Sequence, residues 1–295
     1  MALNQHKTWR LIDVLQWSKS YLRGKGIESP QIETEWILRD VLQLSRLEIY
    51  LQHERPLLPA ELQQIKTLLL QRASGVPLQY VLGQAEFMGL TLRVGPEVLI
   101  PRPETEVLVE TIIARLKSSP DTEWRILDIG TGSGCIAIAL ARQLPQARLN
   151  AIDISPAALD IAKANARLLQ VADQIEFQEL DILSHLPDCS TPYDVVVSNP
   201  PYVAGKMFAQ LPDNVKNHEP HIALQPPGDE LAFYRRLAAI APSLLKPGGL
   251  LAVEIGGDYQ VQPVCALLNE EIFAAPAVIR DYSGHSRVII AGFKA

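Results

Sequence analysis

The stretch that decides the fold is Ile126-Leu127-Asp128-Ile129-Gly130-Thr131-Gly132-Ser133-Gly134, near the middle of the chain. Its apolar start predicts a buried strand, and the alternating glycines predict a tight loop that opens a helix over Cys135–Gln143. Glycines in such a loop let the backbone turn sharply and approach a ligand closely. A dinucleotide-binding fingerprint requires a further glycine where this chain has Cys135. The pattern is instead typical of a loop that wraps S-adenosylmethionine.

Predicted strands and helices alternate on both sides of this loop. Such alternation predicts an α/β fold with a doubly wound, Rossmann-like parallel sheet. The last two strands are joined by Ser283-Gly284-His285 and are expected to form an antiparallel hairpin at the sheet edge. Parallel sheets bind ligands at the C-terminal ends of their strands, where the strand order reverses. The predicted helices are 105–118, 135–143, 155–170, 230–245 and 261–273, and the predicted strands are 125–129, 148–154, 175–180, 194–198, 250–255, 278–282 and 287–291.

Two further segments precede residue 105. Residues 1–76 are predicted to form a small helical bundle with its own core, and we expect this domain to recognise a partner. Ser29-Pro30 and the capping box Ser45-Arg46-Leu47-Glu48 are typical starts for two of its helices. Residues 77–104 contain strand-like pieces separated by glycines, which predicts a β-hairpin linker.

Acidic side chains lie at or near the ends of three successive predicted strands, and each suits one part of S-adenosylmethionine. Asp128 can attract the ammonium group of the methionine end, and Asp153 can accept hydrogen bonds from both ribose hydroxyls. Asp181 is expected near the adenine, with Ile182 packing on the ring. Taken singly, a glycine-rich turn is often a tight connection and an Asp after a strand is often a helix cap. Three such positions at successive strand ends favour the cofactor site.

A second motif, Asn199-Pro200-Pro201-Tyr202, follows another apolar strand. This corner is suited to holding a planar NH2 group, since the Asn199 side-chain oxygen accepts one N–H and the Pro200 carbonyl accepts the other. Pro201 stiffens the corner, and Tyr202 offers a flat wall. Aiming the nitrogen lone pair at a sulfonium methyl in this way assists methyl transfer to nitrogen. The structural alternative is a strand exit with a capping Asn, and the glycine loop favours the catalytic interpretation.

Composition is typical of a soluble globular protein, with 47% hydrophobic and 20% charged residues. The formal net charge of −6 disfavours a grip on duplex DNA, so no direct nucleic-acid binding is expected. No apolar run reaches the length of a membrane span, and the polar start lacks a signal-peptide core. Cys135, Cys189 and Cys265 form no CxxC pair, which is consistent with a reducing cytoplasm. We therefore expect a cytoplasmic protein without membrane association. We also expect it to be a monomer.

Residues 203–229 form the longest segment without clear periodicity, and we predict a flap beside the substrate. His218 and His221 lie within it, but Pro220 between them breaks helix geometry and no third ligand is near in sequence. A sulfonium cofactor also supplies its own leaving group. No metal is therefore expected.

The most distinctive segment is Leu99-Ile100-Pro101-Arg102-Pro103-Glu104-Thr105-Glu106, ahead of the glycine loop. Further segments are Pro77–Gly83, Glu86-Phe87, Asn199–Tyr202, Glu219-Pro220, Phe233–Arg235 and Asp281–Val288. Together, over nearly the whole length, the chain resembles the N5-glutamine methyltransferases of class 1 peptide chain release factors, the PrmC/HemK family. Arg102 and Glu104 either order the cofactor entrance or pair with each other, and the resemblance favours the first. The chain departs from the family pattern at one turn. Such proteins usually have a Gly/Asp-rich turn after Ala223-Leu224, whereas this chain has the stiffer Gln225-Pro226-Pro227-Gly228-Asp229, which affects local loop shape.

The resemblance implies a class I S-adenosylmethionine-dependent methyltransferase domain over residues 105–295. It implies a substrate glutamine, from the Gly-Gly-Gln loop of a class 1 release factor, held against Asn199–Tyr202 and methylated on its side-chain N5 nitrogen. The cofactor contacts that it implies are Gly130, Thr131, Gly132, Ser133, Gly134, Asp153, Ile182 and Asn199. Adenine-N6 methylation of DNA or RNA is the enzymatic alternative, because the same corner supports it. A non-catalytic binding protein that acts through its helical bundle is the other alternative.

Overall fold

The computed structural model describes residues 8–117, 123–187 and 190–294. Cys189, the first residues of the polar N-terminal stretch and the last residue of the predicted helix 105–118 lie outside the described residues. The chain divides into two compact units. The first contains Met1–Gly83 and Asp213–His218, and the second contains Gln84–Pro212 and Glu219–Ala295.

The first unit is helical. Its first five helices are α1 (Leu11–Gly24), α2 (Pro30–Leu42), α3 (Arg46–Leu51), α4 (Pro59–Ala73) and α5 (Leu78–Leu82). Helix α3 begins with the predicted capping box: the Ser45 hydroxyl accepts from the Glu48 amide at 3.2 Å, and the Glu48 carboxylate accepts from the Ser45 amide at 2.8 Å. The core of this first unit is formed by buried leucines and isoleucines of α1, α2 and α4, among them Leu11, Leu22, Ile37, Leu38, Ile65 and Leu69.

Helix α5 lies where the sequence predicted only a hairpin and linker. It spans five residues and ends at Gly83, whose φ of 70° is left-handed. One turn of helix is too short to produce a periodic apolar pattern, so the sequence signal for it was absent.

The remaining elements belong to the second unit, except α10, which is part of the first. The strands are β1 (Gln84–Phe87), β2 (Leu90–Arg93), β3 (Arg125–Ile129), β4 (Arg148–Asp153), β5 (Ile175–Glu179), β6 (Tyr193–Ser198), β7 (Leu245–Glu254), β8 (Ala277–Arg280) and β9 (Ser286–Gly292). The helices are α6 (Pro103–Leu116), α7 (Cys135–Gln143), α8 (Pro156–Leu168), α9 (Gly205–Phe208), α10 (Asp213–Lys216), α11 (His221–Leu224), α12 (Ala232–Leu244) and α13 (Asp258–Cys265).

Seven strands form the main sheet in the order β5-β4-β3-β6-β7-β9-β8, and β1 and β2 form a separate hairpin. Strands β3 to β7 run parallel. Strand β9 is antiparallel to β7 and pairs with β8 as an antiparallel hairpin at the edge. This confirms the predicted doubly wound sheet with an antiparallel edge hairpin.

The strand order reverses between β3 and β6. Strands β3, β4 and β5 succeed one another toward one edge, and the chain then returns to place β6 on the other side of β3. Ile129, at the end of β3, pairs with Ile152 on one side and with Ser198 on the other. The glycine loop after β3 and the corner after β6 therefore open on the same edge, at the reversal where such sheets bind ligands.

Helices cover both faces of the sheet, and β6 shows why its sequence is a continuous apolar run. Val195 and Val197 point into the core that contains α6 and α7, whereas Val196 points into the core that contains α12. A strand that is buried on both faces needs no polar alternation.

The observed boundaries follow the predictions most closely near the glycine loop, where β3 and α7 have the predicted limits. The predicted helix 261–273 is wrong in its second half, because α13 ends at Cys265. Beyond it the Asn269 carbonyl accepts from the Ile272 and Phe273 amides at 2.9 and 2.8 Å, so the chain forms a separate turn. Among the described helices, none is both long and apolar enough to span a membrane.

Candidate active site

A cavity of about 410 Å³ lies at the carboxyl edge of the parallel strands in the second unit. Small-molecule sites typically have volumes of roughly 300–1,000 Å³. The predicted site residues that line it are Gly130, Thr131, Gly132, Ser133, Asp153, Asp181, Ile182, Asn199, Pro200 and Pro201. Asp128, Gly134 and Tyr202 are not among the lining residues in the described part of the chain. The sheet thus gathers ten of the thirteen predicted residues around one space.

The glycines of the loop have two different structural roles. Gly130, Gly132 and Gly134 have φ angles of 75°, 54° and 81°, which side-chain-bearing residues rarely adopt. A Cβ on Gly130 or Gly132 would meet nothing within 4 Å. A Cβ on Gly134 would lie 3.0 Å from Ile138 Cδ1 and 3.1 Å from Ala162 Cβ. The first two glycines therefore leave open space, and Gly134 allows α7 to pack closely on α8.

Asp153 holds the loop in place. Its Oδ2 accepts from the Gly132 amide at 2.8 Å, and its Oδ1 accepts from the Ser155 amide at 2.9 Å. Burial raises the pKa of this carboxyl above its ordinary value. Lone pairs remain for a ligand hydroxyl, because an ionised carboxylate offers about four acceptor positions.

Asp128 lies behind the loop and is fully buried. Its Oδ2 accepts from the Thr131 hydroxyl at 2.7 Å, and its Oδ1 has no hydrogen-bond partner among the described residues. Burial raises the pKa of the carboxyl to about 7, although the hydrogen bond from Thr131 lowers it in part. A buried acid with an unsatisfied oxygen favours a nearby positive charge.

Asp181 and Ile182 follow β5 and line the cavity. The Asp181 Oδ2 accepts from the Ser184 hydroxyl at 2.6 Å, and its Oδ1 accepts from the Leu183 amide at 3.0 Å. The bond from Ser184 lowers the pKa of Asp181. Asp181 therefore caps a turn, as the structural alternative supposed, and also lines the cavity. Ile182 presents a buried apolar side chain next to it.

The Asn199 corner is anchored to β3 and to α6. The Ser198 hydroxyl donates to the Ile129 carbonyl at 2.7 Å and ties the end of β6 to the end of β3. The Asn199 Nδ2 donates to the Thr105 hydroxyl oxygen at 3.1 Å. Because the NH2 end of the amide has this partner, the Oδ1 end remains available to accept from a ligand. The sequence assigned no role to Thr105 or Ser198, because nothing in the sequence distinguishes these two hydroxyl residues from others.

Tyr202 lies beside the end of β7. Its hydroxyl is 3.4 Å from Glu254 Oε1, a long contact, and a Cβ on Gly256 would lie 2.9 Å from the Tyr202 ring. Burial raises the pKa of its hydroxyl. The ring therefore packs on the residues that follow β7. Its service as a flat wall for the substrate stays a prediction.

Glu254 is a residue of the site that the sequence analysis did not identify. It ends the apolar strand β7 and is 1% exposed. Burial raises the pKa of its carboxyl to about 7, and hydrogen bonds from Thr105 and Tyr202 act in the opposite direction. The available signal was an acidic residue at the end of a strand that is otherwise apolar, which is uncommon unless the acid is paired.

Arg102 pairs with Glu219 and not with Glu104, which corrects the paired alternative drawn from the sequence. The Arg102 Nη2 donates to Glu219 Oε1 at 2.5 Å, and Glu219 Oε2 also accepts from the Ile100 amide at 3.3 Å. The Glu219 side chain is 1% exposed. A buried carboxylate thus joins the segment before α6 to the predicted flap. Members of this flap that line the cavity are Pro220, Ile222, Ala223, Gln225, Pro226 and Pro227.

One of the two histidines of the flap, His221, packs against an aromatic ring. The His221 ring contacts the Phe208 ring edge-on, with centroids 4.9 Å apart. In the part of the chain that the structure describes, no group of three or more His, Cys, Asp or Glu side chains could hold a metal ion.

Comparison with known proteins gives matches over both units. Residues 13–83 match the family model described as the PrmC N-terminal domain, and residues 103–218 match the methyltransferase small domain. The release factor glutamine methyltransferase of Chlorobaculum tepidum is 41% identical over 286 residues, which cover 95% of this chain and 96% of the relative. The protein of the same name from Geobacter sulfurreducens is 39% identical over 281 residues, with 95% and 96% coverage.

Among solved structures, the hMettl16 catalytic domain in complex with MAT2A 3′UTR hairpin 1 superimposes with a TM-score of 0.57 and 18% identity, covering 94% of this chain and 91% of that one. At that identity the likeness shows the fold alone.

A glycine loop at the reversal point of a seven-stranded sheet, together with the match to a methyltransferase domain, defines a class I methyltransferase. Relatives at about 40% identity over 95% of the chain narrow the class further. The chain belongs to the release factor glutamine methyltransferase family, which confirms the resemblance seen in the sequence.

Proposed function

We propose that this protein transfers a methyl group from S-adenosylmethionine to the side-chain N5 nitrogen of the glutamine in the Gly-Gly-Gln loop of class 1 release factors. The observation that carries the proposal is the placement of Asn199 and the glycine loop on one cavity, with the Asn199 Nδ2 already bonded to Thr105. That arrangement leaves an amide oxygen for the substrate next to the space for the cofactor. The names of the relatives supply the substrate class.

The chain's residues fit S-adenosylmethionine. Gly130 and Gly132 leave open space where a side chain would stand, and Asp153 lines that space with spare lone pairs. Asp128 Oδ1 has no hydrogen-bond partner among the described residues, and a bound ammonium group would favour the ionised form of this buried carboxyl. We propose Asp181 and Ile182 for the adenine end. When bound, the cofactor supplies an electrophilic methyl on a sulfonium.

The corner then orients the amide nitrogen of the substrate. We propose that Asn199 Oδ1 accepts one N–H of the glutamine side chain and the Pro200 carbonyl accepts the other. An amide lone pair is delocalised into its carbonyl, so its nucleophilicity depends on how it is held and polarised. Two fixed acceptors increase electron density on nitrogen and stabilise the positive charge that develops there, and most of the gain comes from orientation. The nitrogen gains one methyl group and loses one proton to solvent.

The helical first unit is proposed to contact the release factor. Its match to a domain model that accompanies this family supports a role in that family's function. The formal net charge of −6 supports a protein substrate over nucleic acid.

The test is incubation of the purified protein with S-adenosylmethionine and a purified class 1 release factor, followed by mass spectrometry of the Gly-Gly-Gln peptide. We expect one added methyl group on the glutamine, and much less of this product with Asn199→Ala under the same conditions. DNA and RNA are supplied in parallel reactions. Methyl groups that enter the nucleic acid but not the release factor would overturn the proposal in favour of adenine-N6 methylation.

A further inference from the structure

A buried chain of polar contacts leads away from the Asn199 amide to a carboxyl group that no part of the proposed reaction uses. Asn199 Nδ2 donates to the Thr105 hydroxyl oxygen at 3.1 Å. The Thr105 hydroxyl lies close enough to the Glu254 carboxyl to lower its pKa. Thr105 is 2% exposed and Glu254 is 1% exposed. The three residues come from the end of β6, the start of α6 and the end of β7.

The direction of each bond in this chain follows from counting hydrogens. A threonine hydroxyl has a single hydrogen and can donate only once. When Glu254 is ionised it can only accept, so Thr105 gives its hydrogen to Glu254. The Thr105 oxygen can then only accept from Asn199, which requires the Nδ2 end of the amide. The Oδ1 end must consequently face the cavity.

We propose that Thr105 and Glu254 are positioning residues that fix which end of the Asn199 amide faces the substrate. This inference rests on the methyl transfer proposed above. It goes beyond that reaction because the reaction assigns no role to Thr105, which lines the cavity, or to Glu254, which does not. With the amide reversed, Asn199 would offer an N–H to the N–H of the substrate, and the two donors would repel each other.

The same count of hydrogens predicts that the orientation of the Asn199 amide depends on pH. A protonated Glu254 can donate to Thr105, which frees the Thr105 hydrogen to donate to Asn199 and permits the reversed amide. Burial, its largest cause, raises the pKa of Glu254 to about 7. Its Oε2 has no hydrogen-bond partner among the described residues, which favours the neutral form. Falling pH should therefore lower the population of the productive orientation.

Other groups around Glu254 modulate this titration but do not replace it. Arg287 favours the ionised form and Glu104 disfavours it. The Tyr202 hydroxyl contacts Oε1 at 3.4 Å, and the Tyr234 hydroxyl donates to the Glu254 backbone carbonyl at 2.9 Å. Cys135 also experiences the charge of Glu254. The groups that face Glu254 are thus Thr105, Tyr202, Tyr234, Glu104, Arg287 and Cys135.

The first test compares two changes at one position. Thr105→Val keeps the shape and removes the hydroxyl, and Thr105→Ser keeps the hydroxyl. We expect Thr105→Val to lower kcat at saturating S-adenosylmethionine by about ten-fold, the effect of one hydrogen bond. Thr105→Ser should retain most of the activity, and the dissociation constant of S-adenosylmethionine should change little in either. Equal kcat values for the two variants would overturn the proposal.

The second test is the pH profile of kcat, again at saturating cofactor so that Asp128 has little influence. The wild type should lose activity below pH about 7, the value at which Glu254 titrates. In Glu254→Gln the amide cannot titrate, so kcat should be lower and this acid limb should disappear. A merely structural role for Glu254 would lower stability and leave the limb in place, and that result would contradict the proposal.

A third measurement needs no substrate and separates this inference from the proposed function. The carboxamide N–H signals of Asn199 are followed by NMR in a nitrogen-labelled sample and assigned by their loss in Asn199→Ala. They should shift with a midpoint near pH 7 in the wild type and not in Glu254→Gln. A wild type that fails to methylate release factors but shows this shift would refute the proposed function alone. Signals that do not titrate would refute the positioning role.

Discussion

The glycine loop after β3 and the Asn199 corner after β6 face one cavity but are built in opposite ways. The loop is shaped by its own left-handed glycines and by the adjacent strand of the same βαβ unit, where Asp153 accepts from its Gly132 amide, 21 residues away. The corner depends on a side chain from far along the chain, since Asn199 is held by Thr105, 94 residues away. Local sequence therefore decides where the cofactor would lie, and long-range packing decides how the substrate amide would be oriented.

This difference has a consequence for mutations. Changes in the loop should alter stability or cofactor affinity, because its residues form part of the fold and also line the cavity proposed for the cofactor. Changes at the corner should alter turnover while leaving the fold intact. The following predictions test that division, from the largest expected effect to the smallest.

Replacement of Asn199 by Ala is expected to have the largest effect. It removes one of the two acceptors proposed for the substrate amide. The transition state should lose about 2–4 kcal/mol of stabilisation, as for loss of an oxyanion-type contact, and kcat should fall accordingly. Steady-state kinetics with a release factor would measure the change, and calorimetry should show cofactor binding within a few-fold of wild type. A variant that kept full turnover would mean that the corner does not hold the substrate.

Gly134→Ala should destabilise the fold by about 2–3 kcal/mol, because it combines a left-handed backbone with overpacking. The added Cβ would lie 3.0 Å from Ile138 and 3.1 Å from Ala162. Gly248 is a matched control, since it has a φ of 77° and open space around the added Cβ. Denaturant unfolding of both variants measures the difference. Equal losses would show that backbone strain alone matters and that close packing of α7 on α8 does not.

Asp128 should make stability depend on pH. Its pKa is about 7 in the folded protein, raised by burial from 3.8, so between these values the folded state holds a proton that the unfolded state has lost. The free energy of unfolding should therefore fall as pH rises from about 4 to 7, by up to ~1.4 kcal/mol per pH unit from this group, and then level off.

The matched variant is Asp128→Asn, which cannot titrate. Its free energy of unfolding, measured from pH 5 to 8, should decline less steeply than that of the wild type. Some slope should remain, because Glu254 also has a raised pKa of about 7. Parallel curves for the two proteins would show that Asp128 is ionised in the folded state at acidic pH.

Asp153→Asn is expected to have the smallest effect of the four. The change removes the negative charge and one acceptor but keeps an oxygen, so cofactor affinity should fall by about 1 kcal/mol, or several-fold. Calorimetry with S-adenosylmethionine measures this, and kcat at saturating cofactor should remain close to wild type. An unchanged dissociation constant would contradict the ribose-binding assignment, and a large drop in kcat alone would contradict the division between loop and corner.

Prediction from the sequence succeeded where short-range patterns carry the information. The limits of β3 and α7 were correct, because an apolar run, alternating glycines and a helical apolar face follow one another without a break. The N-cap of α8 was also visible, and the Ser155 hydroxyl accepts from the Ala158 amide at 3.2 Å. Failures occurred in the one-turn helix α5 and beyond Cys265, where too few residues repeat to distinguish a helix from a turn.

For the site, the sequence located ten of the lining residues but not the contacts that hold them. Gly130, Asp153 and Asn199 follow strands, and this position in the chain is enough to place them at one edge of the sheet. Thr105 and Glu254 could not be placed in this way, because a buried hydroxyl and a strand-end acid acquire meaning only from the atoms that they contact. The partner of Arg102 was likewise decided by packing, which placed Glu219 beside it in preference to the nearby Glu104.

The amino-acid sequence by itself determined the class of fold, the family and the edge of the sheet at which the cavity opens, since these follow from periodicity, glycine positions and motifs that are contiguous in the chain. Only the tertiary structure decided which way the Asn199 amide faces and which carboxyls are buried enough to hold a proton near neutral pH. Hydrogen-bond direction and desolvation depend on neighbours that are distant in the chain, so folding must bring them together before either property exists.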